Sequence, residues 1–536
     1  MEIEHFNIEH FNSYVEYLYP DKNFACPEII DIVKEIVEKT LWDNPQSSLD
    51  WNNLAVMALI EAERNDDLTL RSTYLEMALE ALQEAIAVAD HPLIFAHHTV
   101  WETLTESKQV GIKKAFSYLI NMLDDSFNPE CLADPGLIYI PCKNKNASPR
   151  LISSQIIQIF NADNAYIQAL RLLCETCCQN QIFFYSSVGL RFLNLAIQLL
   201  PDSAITNLKL GIANIGALGQ EGLFNLHRAN RLLPEVPQTW QALYLVYREM
   251  GWHEVAQSYL NRAKKLASNS PDLAWRWTEL SIDEQVTYVP FDQTLCMAVE
   301  PSFKSIVTMV LLAEGDWCEE EMEFWRYWLK PGMTVIDVGA NAGVYTFSAA
   351  NRVGPTGRVF AIEPFSKCVH YLETTKNLNQ LEWVTIYQRA ASNHRGKVRL
   401  SLSRASEFNK VIIDEAMTTS SFEEVDAFLL DDLIHQEHLS QVDWLKIDAE
   451  GHELQVLEGS QRLLEQFMPG ILYEHTVEGQ AVNISVAQYL QNKDYQLFLY
   501  KAYLRQLMPI QSLDNLKNSL NVIALPTCKL EELMHC

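Results

Sequence analysis

The first half of the chain carries apolar residues at spacings of three and four, the period of one face of an α-helix. Trp51–Ala89 and Ile112–Leu123 show this spacing most clearly. Hardly any alternating apolar and polar pattern, which would indicate strands, interrupts residues 1–278. We therefore predict that residues 1–278 form an all-α region.

An internal repeat runs from about Ser187 to Leu266 within this region. Ala196, Ala229 and Ala263 head related phrases and stand 33 and 34 residues apart, a period typical of helix-turn-helix solenoids. The last unit resembles a tetratricopeptide repeat, whose spacings are met by Trp240, Leu243, Tyr247, Gly251, Ala256, Leu260 and Ala263. This resemblance implies a concave surface for a protein partner or for self-association. A solenoid that only supports the next domain is the alternative.

The pattern changes after residue 278. Two short strands are predicted at Val286–Val289 and Gln293–Val299, followed by the apolar segment Ile306–Ala313. Met322, Trp325 and Leu329 then lie on one face of a helix that ends before Pro331. We expect residues 279–330 to connect the helical region to the following domain and to cap that domain.

From residue 331 to 536, short Val-, Ile- and Leu-rich runs alternate with helical patterns, which favours a mostly parallel sheet covered on both faces. Seven strands are predicted, at Val335–Asp337, Arg358–Ile362, Val384–Ala391, Val442–Asp448, Gly470–Glu474, Tyr495–Tyr500 and Val522–Leu525. Lys397–Ser403 and Ser421–Ala427 look like an inserted hairpin. In such sheets ligands bind at the carboxyl ends of the strands.

The stretch Thr334–Tyr345 reads T-V-I-D-V-G-A-N-A-G-V-Y, a strand followed by a glycine-rich turn and a helix. Gly339 and Gly343 allow close approach of the backbone, and Asp337 adds a carboxylate at the same place. Dinucleotide, flavin and sulfonium-nucleoside binding proteins all use such a turn, so the turn alone does not choose among them.

Glu363 lies 26 residues after Asp337, where a predicted strand ends and where a carboxylate can bind a ribose diol. An exposed acidic strand end is the alternative role for Glu363. The carboxylate of Asp337 would repel a pyrophosphate but not a sulfonium amino acid, and Asn341 replaces a glycine of the dinucleotide pattern. A nicotinamide-dependent oxidoreductase is thereby disfavoured.

The chain is acidic, with 41 Lys and Arg against 69 Asp and Glu and a formal charge of -28. This balance argues against a nucleic-acid or anionic-membrane surface. The start M-E-I-E-H-F-N lacks the features of a signal peptide, and no apolar run is long enough to cross a bilayer, so we expect a cytoplasmic protein. The odd number of cysteines, eleven, fits reduced thiols, and Cys174, Cys177 and Cys178 are expected to be core thiols rather than half of a zinc site.

The second domain resembles the FkbM family of S-adenosylmethionine-dependent methyltransferases over about Ile306–His475. The motifs that carry this resemblance are G-D-W-C-E-E-E, K-P-G-M-T-V-I-D-V-G-A-N-A-G-V-Y-T, G-R-V-F-A-I-E-P, L-L-D-D-L and V-D-W-L-K-I-D-A-E-G-H-E-L-Q-V-L-E-G. The resemblance implies a Rossmann-like class I methyltransferase with a seven-stranded, mostly parallel sheet, and S-adenosylmethionine as its cofactor.

The resemblance also implies which residues hold the cofactor. Asp337, Gly339, Asn341 and Gly343 would hold its methionine part, Glu363 its ribose, and Ala390 would lie near its adenine. Ala340, Tyr345 and Pro364 are expected among the cofactor-binding residues as well.

Lys446 and Asp448 alternate with apolar residues, so both should point to one face of the predicted strand Val442–Asp448. If the methyl acceptor is a hydroxyl, a base must take its proton, and the candidates are Asp448, Glu450, His452 and His475. We rank Asp448 first, with a hydrogen bond to the amino group of the cofactor as its alternative role. Lys446 is expected to orient the carboxylates as an ion-pair partner.

Three alternatives concern neighbouring residues. His475 could equally be a core histidine, and no metal is expected, although Asp448, Glu450 and His452 could bind a divalent ion. Trp317 and Glu319 could form a lid over the cofactor, or the tryptophan could serve core packing.

The sequence thus predicts an O-methyltransferase that acts on a sugar or natural-product hydroxyl or carboxyl, without nucleic acid or membrane partners. The alternative is a repeat scaffold whose second domain binds a nucleoside without turnover.

Overall fold

The computed structural model describes residues 2–20, 25–89, 91–105, 108–123, 134–141, 156–162, 164–180, 187–268, 270, 273–280, 285–403, 406–412, 422–475, 484–516 and 519–530. The chain divides into two compact units. The first comprises residues 1–262 with 313–315, and the second comprises residues 263–312 with 316–536.

The first unit is helical, as predicted. Its helices are Glu2–Leu18, Pro27–Lys39, Ser48–Arg64, Leu68–Val88, Pro92–Thr105, Lys108–Leu123, Ala165–Asn180, Ser187–Leu199, Ala204–Gly216, Gly222–Leu232, Pro237–Glu249 and, extending into the second unit, His253–Ala267. The helix Ser48–Arg64 begins at a reciprocal capping box of Ser47 and Asp50. Cys174, Cys177 and Cys178 are buried free thiols in the helix Ala165–Asn180.

Small residues let helices of the repeat region approach closely. A Cβ on Gly222 would lie 2.5 Å from the backbone oxygen of Gly211 on the preceding helix, and a Cβ on Gly211 would lie 2.7 Å from the side chain of Leu226. Glycine is therefore needed where these two helices stack. A tetratricopeptide solenoid itself is not confirmed and stays a prediction.

The second unit begins with an antiparallel hairpin of β1 (Thr287–Phe291) and β2 (Leu295–Val299). The helices Ile306–Glu314, which extends into the first unit, and Glu321–Trp328 follow. These elements agree with the two short strands, the apolar segment and the helix predicted over residues 279–330.

Two sheets follow, and their strands are numbered in chain order. The larger sheet contains β3 (Thr334–Val338), β4 (Arg358–Ile362), β5 (Val384–Tyr387), β10 (Trp444–Ile447), β11 (Gly470–Glu474), β12 (Tyr495–Lys501), β13 (Gln506–Pro509) and β14 (Asn521–Pro526). The smaller sheet contains β6 (Ala390–Ala391), β7 (Gly396–Ser401), β8 (Lys410–Ile412) and β9 (Phe422–Phe428).

The order of strands in the larger sheet is β13-β12-β14-β11-β10-β3-β4-β5. β11, β10, β3, β4 and β5 are parallel neighbours, whereas β14, β12 and β13 are joined to the sheet by antiparallel pairs. The centre of the sheet is thus parallel and one edge is antiparallel.

The seven-stranded, mostly parallel sheet is therefore not confirmed, because the sheet is mixed and has an eighth strand. The missed strand, β13, is short and mostly exposed, so it lacks the apolar run on which the prediction relied. It pairs with β12 across a tight connection, and such a hairpin is necessarily antiparallel.

The predicted strand Val384–Ala391 is divided between the two sheets. β5 ends at Tyr387, whose carbonyl oxygen accepts a hydrogen bond from the backbone N–H of Arg389 at 2.9 Å, so the chain turns there. β6 then joins the smaller sheet, whose order is β6-β9-β7-β8. In that sheet β7 pairs antiparallel with β9, as predicted, and β8 flanks β7.

Helices cover the larger sheet and connect its strands. They are Val344–Val353, Ser366–Leu378, Asp431–Gln436, Glu453–Glu458, Gln461–Phe467 and Ile484–Gln491. The core of this unit lies between sheet and helices and includes Ile336, Phe360, Leu445, Ile447 and Ile471, all fully buried. Within the described part of the chain, no helix combines the length and apolar character that a bilayer crossing requires.

Candidate active site

The glycine-rich turn follows β3 at the centre of the larger sheet. Gly339, Asn341 and Gly343 all have positive φ, at 76°, 49° and 99°, so the chain folds back tightly before the helix Val344–Val353. The backbone N–H groups of Gly339 and Ala340 donate to the carbonyl oxygen of Ile362, at 2.9 and 3.2 Å. The turn is thereby fixed against the carboxyl end of β4.

Gly339 also contacts the carboxyl end of β10. A Cβ at this position would lie 1.7 Å from the backbone oxygen of Asp448. The backbone N–H of Asp448 donates to the oxygen of Val338 at 3.0 Å, which holds the two strand ends together. Position 339 therefore requires glycine for space as well as for conformation.

Asp337 lies at the end of β3 and is only 2% exposed. Its Oδ2 accepts a hydrogen bond from the Thr346 hydroxyl at 2.5 Å. Burial raises the pKa of Asp337 to about 6, against the opposing effects of the Thr346 hydrogen bond and of the Lys446 ammonium. A charge in this position is stabilised by any cation that approaches it.

Glu363 lies directly after the last residue of β4, two residues beyond the register partner of Asp337. Its two oxygens accept hydrogen bonds from backbone N–H groups, Oε2 from Asn341 at 2.7 Å and Oε1 from Phe365 at 2.8 Å. These bonds fix the side chain beside the turn. Burial raises its pKa to about 7, and the charges of Asp337 and Asp448 add to the shift, so the three carboxyl groups are near one another.

The ammonium of Lys446 is buried among the carboxyl groups of Asp448, Glu319, Asp337 and Glu474. Its side chain is 1% exposed and its Nζ lies 3.1 Å from Oδ2 of Asp448, whose side chain is 34% exposed. Burial opposes the charge on Lys446, but the surrounding carboxylates, Asp448 above all, outweigh this effect and raise the pKa of Lys446. Asp448 thus keeps a fixed cation on one side and is accessible from outside.

Glu450 and Glu474 extend the acidic cluster. One carboxylate oxygen each from Asp448, Glu450 and Glu474 can be chosen so that all three lie within 4.8 Å of one another. Burial, followed by the charges of Asp448 and Glu450, raises the pKa of Glu474 far above its usual range. In the alternative metal site considered from the sequence, His452 was the third member besides Asp448 and Glu450, whereas the third member of the cluster in the structure is Glu474.

Glu319 and Asn521 also reach the site, and they are far from it in sequence. Oε2 of Glu319 accepts hydrogen bonds from the Tyr345 hydroxyl at 2.5 Å and from Nδ2 of Asn521 at 3.0 Å. The ring of Tyr345 lies under the Lys446 ammonium, 4.8 Å from its Nζ. Glu319 belongs to the G-D-W-C-E-E-E motif and was named as part of a possible lid, and Glu474 ends the predicted strand Gly470–Glu474, but no sequence signal marks Asn521 as a site residue.

Of the two histidines named as candidate bases, His452 contacts Ser392 and His475 contacts Tyr473. Nε2 of His452 is 3.0 Å from the Ser392 hydroxyl, and burial lowers the pKa of His452 to about 4. His475 is fully buried, and its ring meets that of Tyr473 edge to face at 6.0 Å. Tyr473 faces the apolar core, whereas Glu474 points to the opposite face of the strand.

The remaining predicted cofactor residues line the turn or flank it. Ala340 and Tyr345 are buried, and Pro364 is half-buried directly after Glu363. Ala390 is buried in β6, where it pairs with Ala427 of the smaller sheet.

A comparison with protein families matches residues 337–497 to the family described as "Methyltransferase FkbM domain". A curated relative, the "Ribosomal RNA large subunit methyltransferase E" of Oleidesulfovibrio alaskensis, is 33% identical over 92 residues, 17% of this chain and 40% of that protein. The chain therefore matches less than half of the length of this relative. Because the relative is named as an RNA methyltransferase, the exclusion of nucleic acid that was based on net charge is not supported.

Solved methyltransferase structures show a weak likeness to the chain. The methyltransferase FkbM of Methylobacillus flagellatus is 15% identical, covers 40% of this chain and 52% of its own, and has a TM-score of 0.25. A SAM-dependent methyltransferase from Aquifex aeolicus is 15% identical, covers 39% and 89%, and has a TM-score of 0.22. TM-scores this low say nothing about activity. The similarity to methyltransferases therefore depends on the family match over residues 337–497. The glycine-rich turn and its acidic strand ends lie within residues 337–497, the segment that is similar to the methyltransferase FkbM domain family.

Proposed function

We propose that the chain is an S-adenosylmethionine-dependent O-methyltransferase whose acceptor is a sugar or natural-product hydroxyl or a carboxyl group. The observation that carries the proposal is the pair of buried carboxyl groups, Asp337 and Glu363, at the carboxyl ends of adjacent parallel strands. They flank a glycine-rich turn inside the segment that matches the methyltransferase family.

The residues present fit this cofactor. S-adenosylmethionine carries a sulfonium and an ammonium, and the acidic groups around the turn outnumber the Lys446 ammonium. A cationic ligand would relieve the mutual repulsion that contributes to the raised pKa values of Asp337 and Glu363. Gly339 keeps the turn free of a side chain where the backbone of Asp448 approaches.

We assign roles to the residues from their positions. Asp337, Gly339, Asn341 and Gly343 would bind the methionine part, with Ala340 and Tyr345 beside them. Glu363 would accept hydrogen bonds from the ribose hydroxyls, because its carboxylate is fixed by two backbone N–H groups and each oxygen retains a lone pair. Pro364 and Ala390 would flank the nucleoside.

S-adenosylmethionine supplies a methyl group that its sulfonium activates for displacement. The protein therefore has to align the acceptor, exclude water and take a proton from a hydroxyl acceptor. Asp448 would take that proton, because its carboxylate is accessible while Lys446 fixes it from the buried side. Glu450 and Glu474 would surround the acceptor with further hydrogen-bonding groups.

The helical region would bind a protein partner or a second copy of the chain through its tetratricopeptide-like units, and we expect the protein to act in the cytoplasm. The alternative function is a scaffold whose second unit binds the nucleoside without turnover. It is opposed by the accessible Asp448 with its buried Lys446, an arrangement that nucleoside binding alone does not need.

Calorimetric titration of the full chain with S-adenosylmethionine, followed by transfer of labelled methyl to a panel of acceptors, tests the proposal. The panel contains neutral glycans, polyols, hydroxylated aromatics, carboxylic acids and structured RNA. Saturable binding with transfer to a hydroxyl or a carboxyl group supports the proposal. Binding without transfer favours the scaffold, transfer only to RNA contradicts the proposed acceptor class, and no binding by folded protein refutes the cofactor assignment.

A further inference from the structure

Glu319 contacts the candidate active site although it lies outside residues 337–497, the segment that matches the family. Its Oε2 accepts hydrogen bonds from the Tyr345 hydroxyl and from Nδ2 of Asn521. Asn521 lies beyond the other end of the matched segment. The two flanks of the domain therefore meet beside the hydroxyl of Tyr345.

Tyr345 in turn lies against Lys446. The ammonium is 4.8 Å from the centre of the tyrosine ring, within the range of a cation–π contact. A phenol that donates to a carboxylate forms a strong, charge-assisted hydrogen bond, which fixes the ring and increases the negative charge on its face. Lys446 also binds Asp448 at 3.1 Å.

We propose that Glu319 is a positioning residue of the active site, which acts through Tyr345 to hold the Lys446 ammonium and thereby the carboxylate of Asp448. The role of Glu319 in catalysis rests on the proposed function. Its role in positioning Lys446 through Tyr345 does not depend on that function.

The position of Glu319 is itself fixed by the helix that carries Tyr345. Arg326 binds Asp316, three residues before Glu319, with Nη2 2.7 Å from Oδ1. Its Nε donates to the hydroxyl of Ser348 on the helix Val344–Val353 at 3.0 Å. Trp325 adds a hydrogen bond from its indole N–H to the backbone oxygen of Tyr345 at 3.1 Å. The chain around Glu319 is therefore attached to the same helix at several points.

Other charged groups face Lys446, and they differ from Glu319 in what they bind. Asp337 accepts the Thr346 hydroxyl, and Asp448 is the group to be oriented. Glu474 contributes to the charge around Lys446 from the end of β11. Glu319 adds to this charge as well, but it is also the carboxylate that accepts the Tyr345 hydroxyl, and Tyr345→Phe separates the two effects because it keeps the charge of Glu319.

Nuclear magnetic resonance of lysine selectively labelled with 13C at Cε tests the positioning directly. Side-chain protons close to the face of an aromatic ring are shifted upfield, and a Lys446→Arg variant identifies the resonance. In Glu319→Gln and in Tyr345→Phe the upfield shift of Lys446 should decrease, because the ring loses its charge-assisted anchor. The double variant should show no further decrease, since both changes break the same link.

Glu323→Gln is the matched control. It removes a carboxylate from the neighbouring helix Glu321–Trp328, where Glu323 pairs with Arg505 at 3.1 Å, and it should leave the Lys446 resonance unchanged. An unchanged resonance in Glu319→Gln, or additive effects in the double variant, would overturn the proposal. If Glu319→Gln fails to fold, Tyr345→Phe alone still tests the link from the hydroxyl to Lys446.

Turnover provides the second readout. In Glu319→Gln, kcat should fall roughly 10- to 100-fold, within the range of a misaligned general base, while the Kd for S-adenosylmethionine changes less than about threefold. An equal loss of both would identify Glu319 as a cofactor-binding residue and overturn the positioning role. If the wild-type protein binds no S-adenosylmethionine, the proposed function fails, but the resonance experiment still decides whether Glu319 orders Lys446.

Discussion

The backbone oxygen of Asp448 lies 1.7 Å from the point that a Cβ on Gly339 would occupy. This contact joins the turn after β3 to the end of β10. The predicted cofactor turn and the predicted base, Asp448, are therefore held in a fixed position relative to each other. Any side chain at position 339 must push the two strand ends apart, because the obstructing atom belongs to the backbone.

Gly339→Ala should therefore destabilise the second unit by more than about 3 kcal/mol and abolish binding of S-adenosylmethionine. Gly332→Ala is the control, because Gly332 has a similar φ of 86° but a Cβ there would lie 3.8 Å from its nearest neighbour. The control should cost only the backbone strain, about 1–2 kcal/mol, and keep the binding. Urea unfolding and calorimetry measure the two effects, and equal losses in both variants would show that the contact is unimportant.

Much of the fold could be predicted because it is encoded in local patterns. The strands at Thr334–Val338, Arg358–Ile362 and Gly470–Glu474 are short apolar runs between turn residues, and their residue pattern alone locates them. β13 could not be found in this way, since its residues are mostly exposed and its place depends on pairing with β12. The division of Val384–Ala391 between the two sheets depends on a turn that no residue type in this stretch indicates.

The candidate site likewise contains some residues that local sequence patterns predict and others that they do not. Asp337, Glu363 and Asp448 come together because the carboxyl ends of parallel strands share one edge, which the sequence predicts. The contribution of Asn521, which comes from a distant segment, depends on topology, whereas Glu474 ends a predicted strand and follows the same rule as Asp448. His452 was grouped with Asp448 by nearness in sequence and His475 by its place at the end of a predicted strand, whereas the contacts that the structure describes for them are with Ser392 and Tyr473.

The stability of the protein should depend on pH through Glu363. Its folded pKa of about 7 lies above the ordinary value of 4.5. Between these values the folded protein keeps a proton that the unfolded chain has released, so stability should fall as pH rises from about 4.5 to 7. The contribution is about 3 kcal/mol at most. Urea unfolding from about pH 4.5 to 8 measures it, and Glu363→Gln should flatten the slope. An unchanged slope in this variant would contradict the assignment.

Binding of S-adenosylmethionine should follow the opposite trend. The ionised carboxylate of Glu363 accepts ribose hydroxyls and attracts a cation, so affinity should increase as pH rises through about 7. Calorimetry in two buffers of different ionisation enthalpy should detect proton release on binding. Glu363→Ala should weaken binding by about 1–3 kcal/mol and remove this pH step. Retention of full affinity would remove the ribose assignment.

Thr346→Val tests the charge on Asp337. The hydroxyl of Thr346 stabilises the ionised carboxylate, so its loss should raise the pKa of Asp337 above its present value of about 6. At about pH 7 a larger fraction of Asp337 is then protonated, and affinity for S-adenosylmethionine should fall several-fold and recover at higher pH. Thr346→Ser keeps the hydroxyl and should behave like the wild type. A loss of affinity that is independent of pH would point to packing instead.

His475→Phe tests whether His475 takes part in catalysis. Both ring nitrogens of His475 are buried and find no hydrogen-bond partner in the part of the chain that the structure describes. Replacing them by an apolar ring should leave the stability unchanged or raise it by about 1 kcal/mol. The Kd for S-adenosylmethionine and kcat should stay within about twofold of the wild type. A large loss of kcat would make His475 a candidate base again.

A comparison of Asp448→Asn with Lys446→Met distinguishes the proposed base from the residue that positions it. Asp448→Asn removes the proton acceptor but keeps the shape and the surface position, so kcat should fall roughly 100-fold or more while cofactor affinity changes little. Lys446→Met removes a buried cation and leaves the surrounding carboxylates uncompensated, so it should cost about 3–5 kcal/mol of stability besides turnover. Steady-state kinetics, calorimetry and urea unfolding on both variants separate these patterns.

The two possible roles of Asp448 are distinguished by comparing the loss of turnover with the loss of cofactor affinity in Asp448→Asn. If Asp448 bonded the amino group of the cofactor instead of acting as the base, the neutral amide would weaken binding and turnover together. Asp448→Glu gives an independent check, because it keeps a carboxylate but moves it by one methylene group. A base role predicts that Asp448→Glu retains more turnover than Asp448→Asn, since a displaced base can still take a proton whereas an amide cannot. Equal turnover in the two variants, with equal losses of affinity, would identify Asp448 as a cofactor-binding residue.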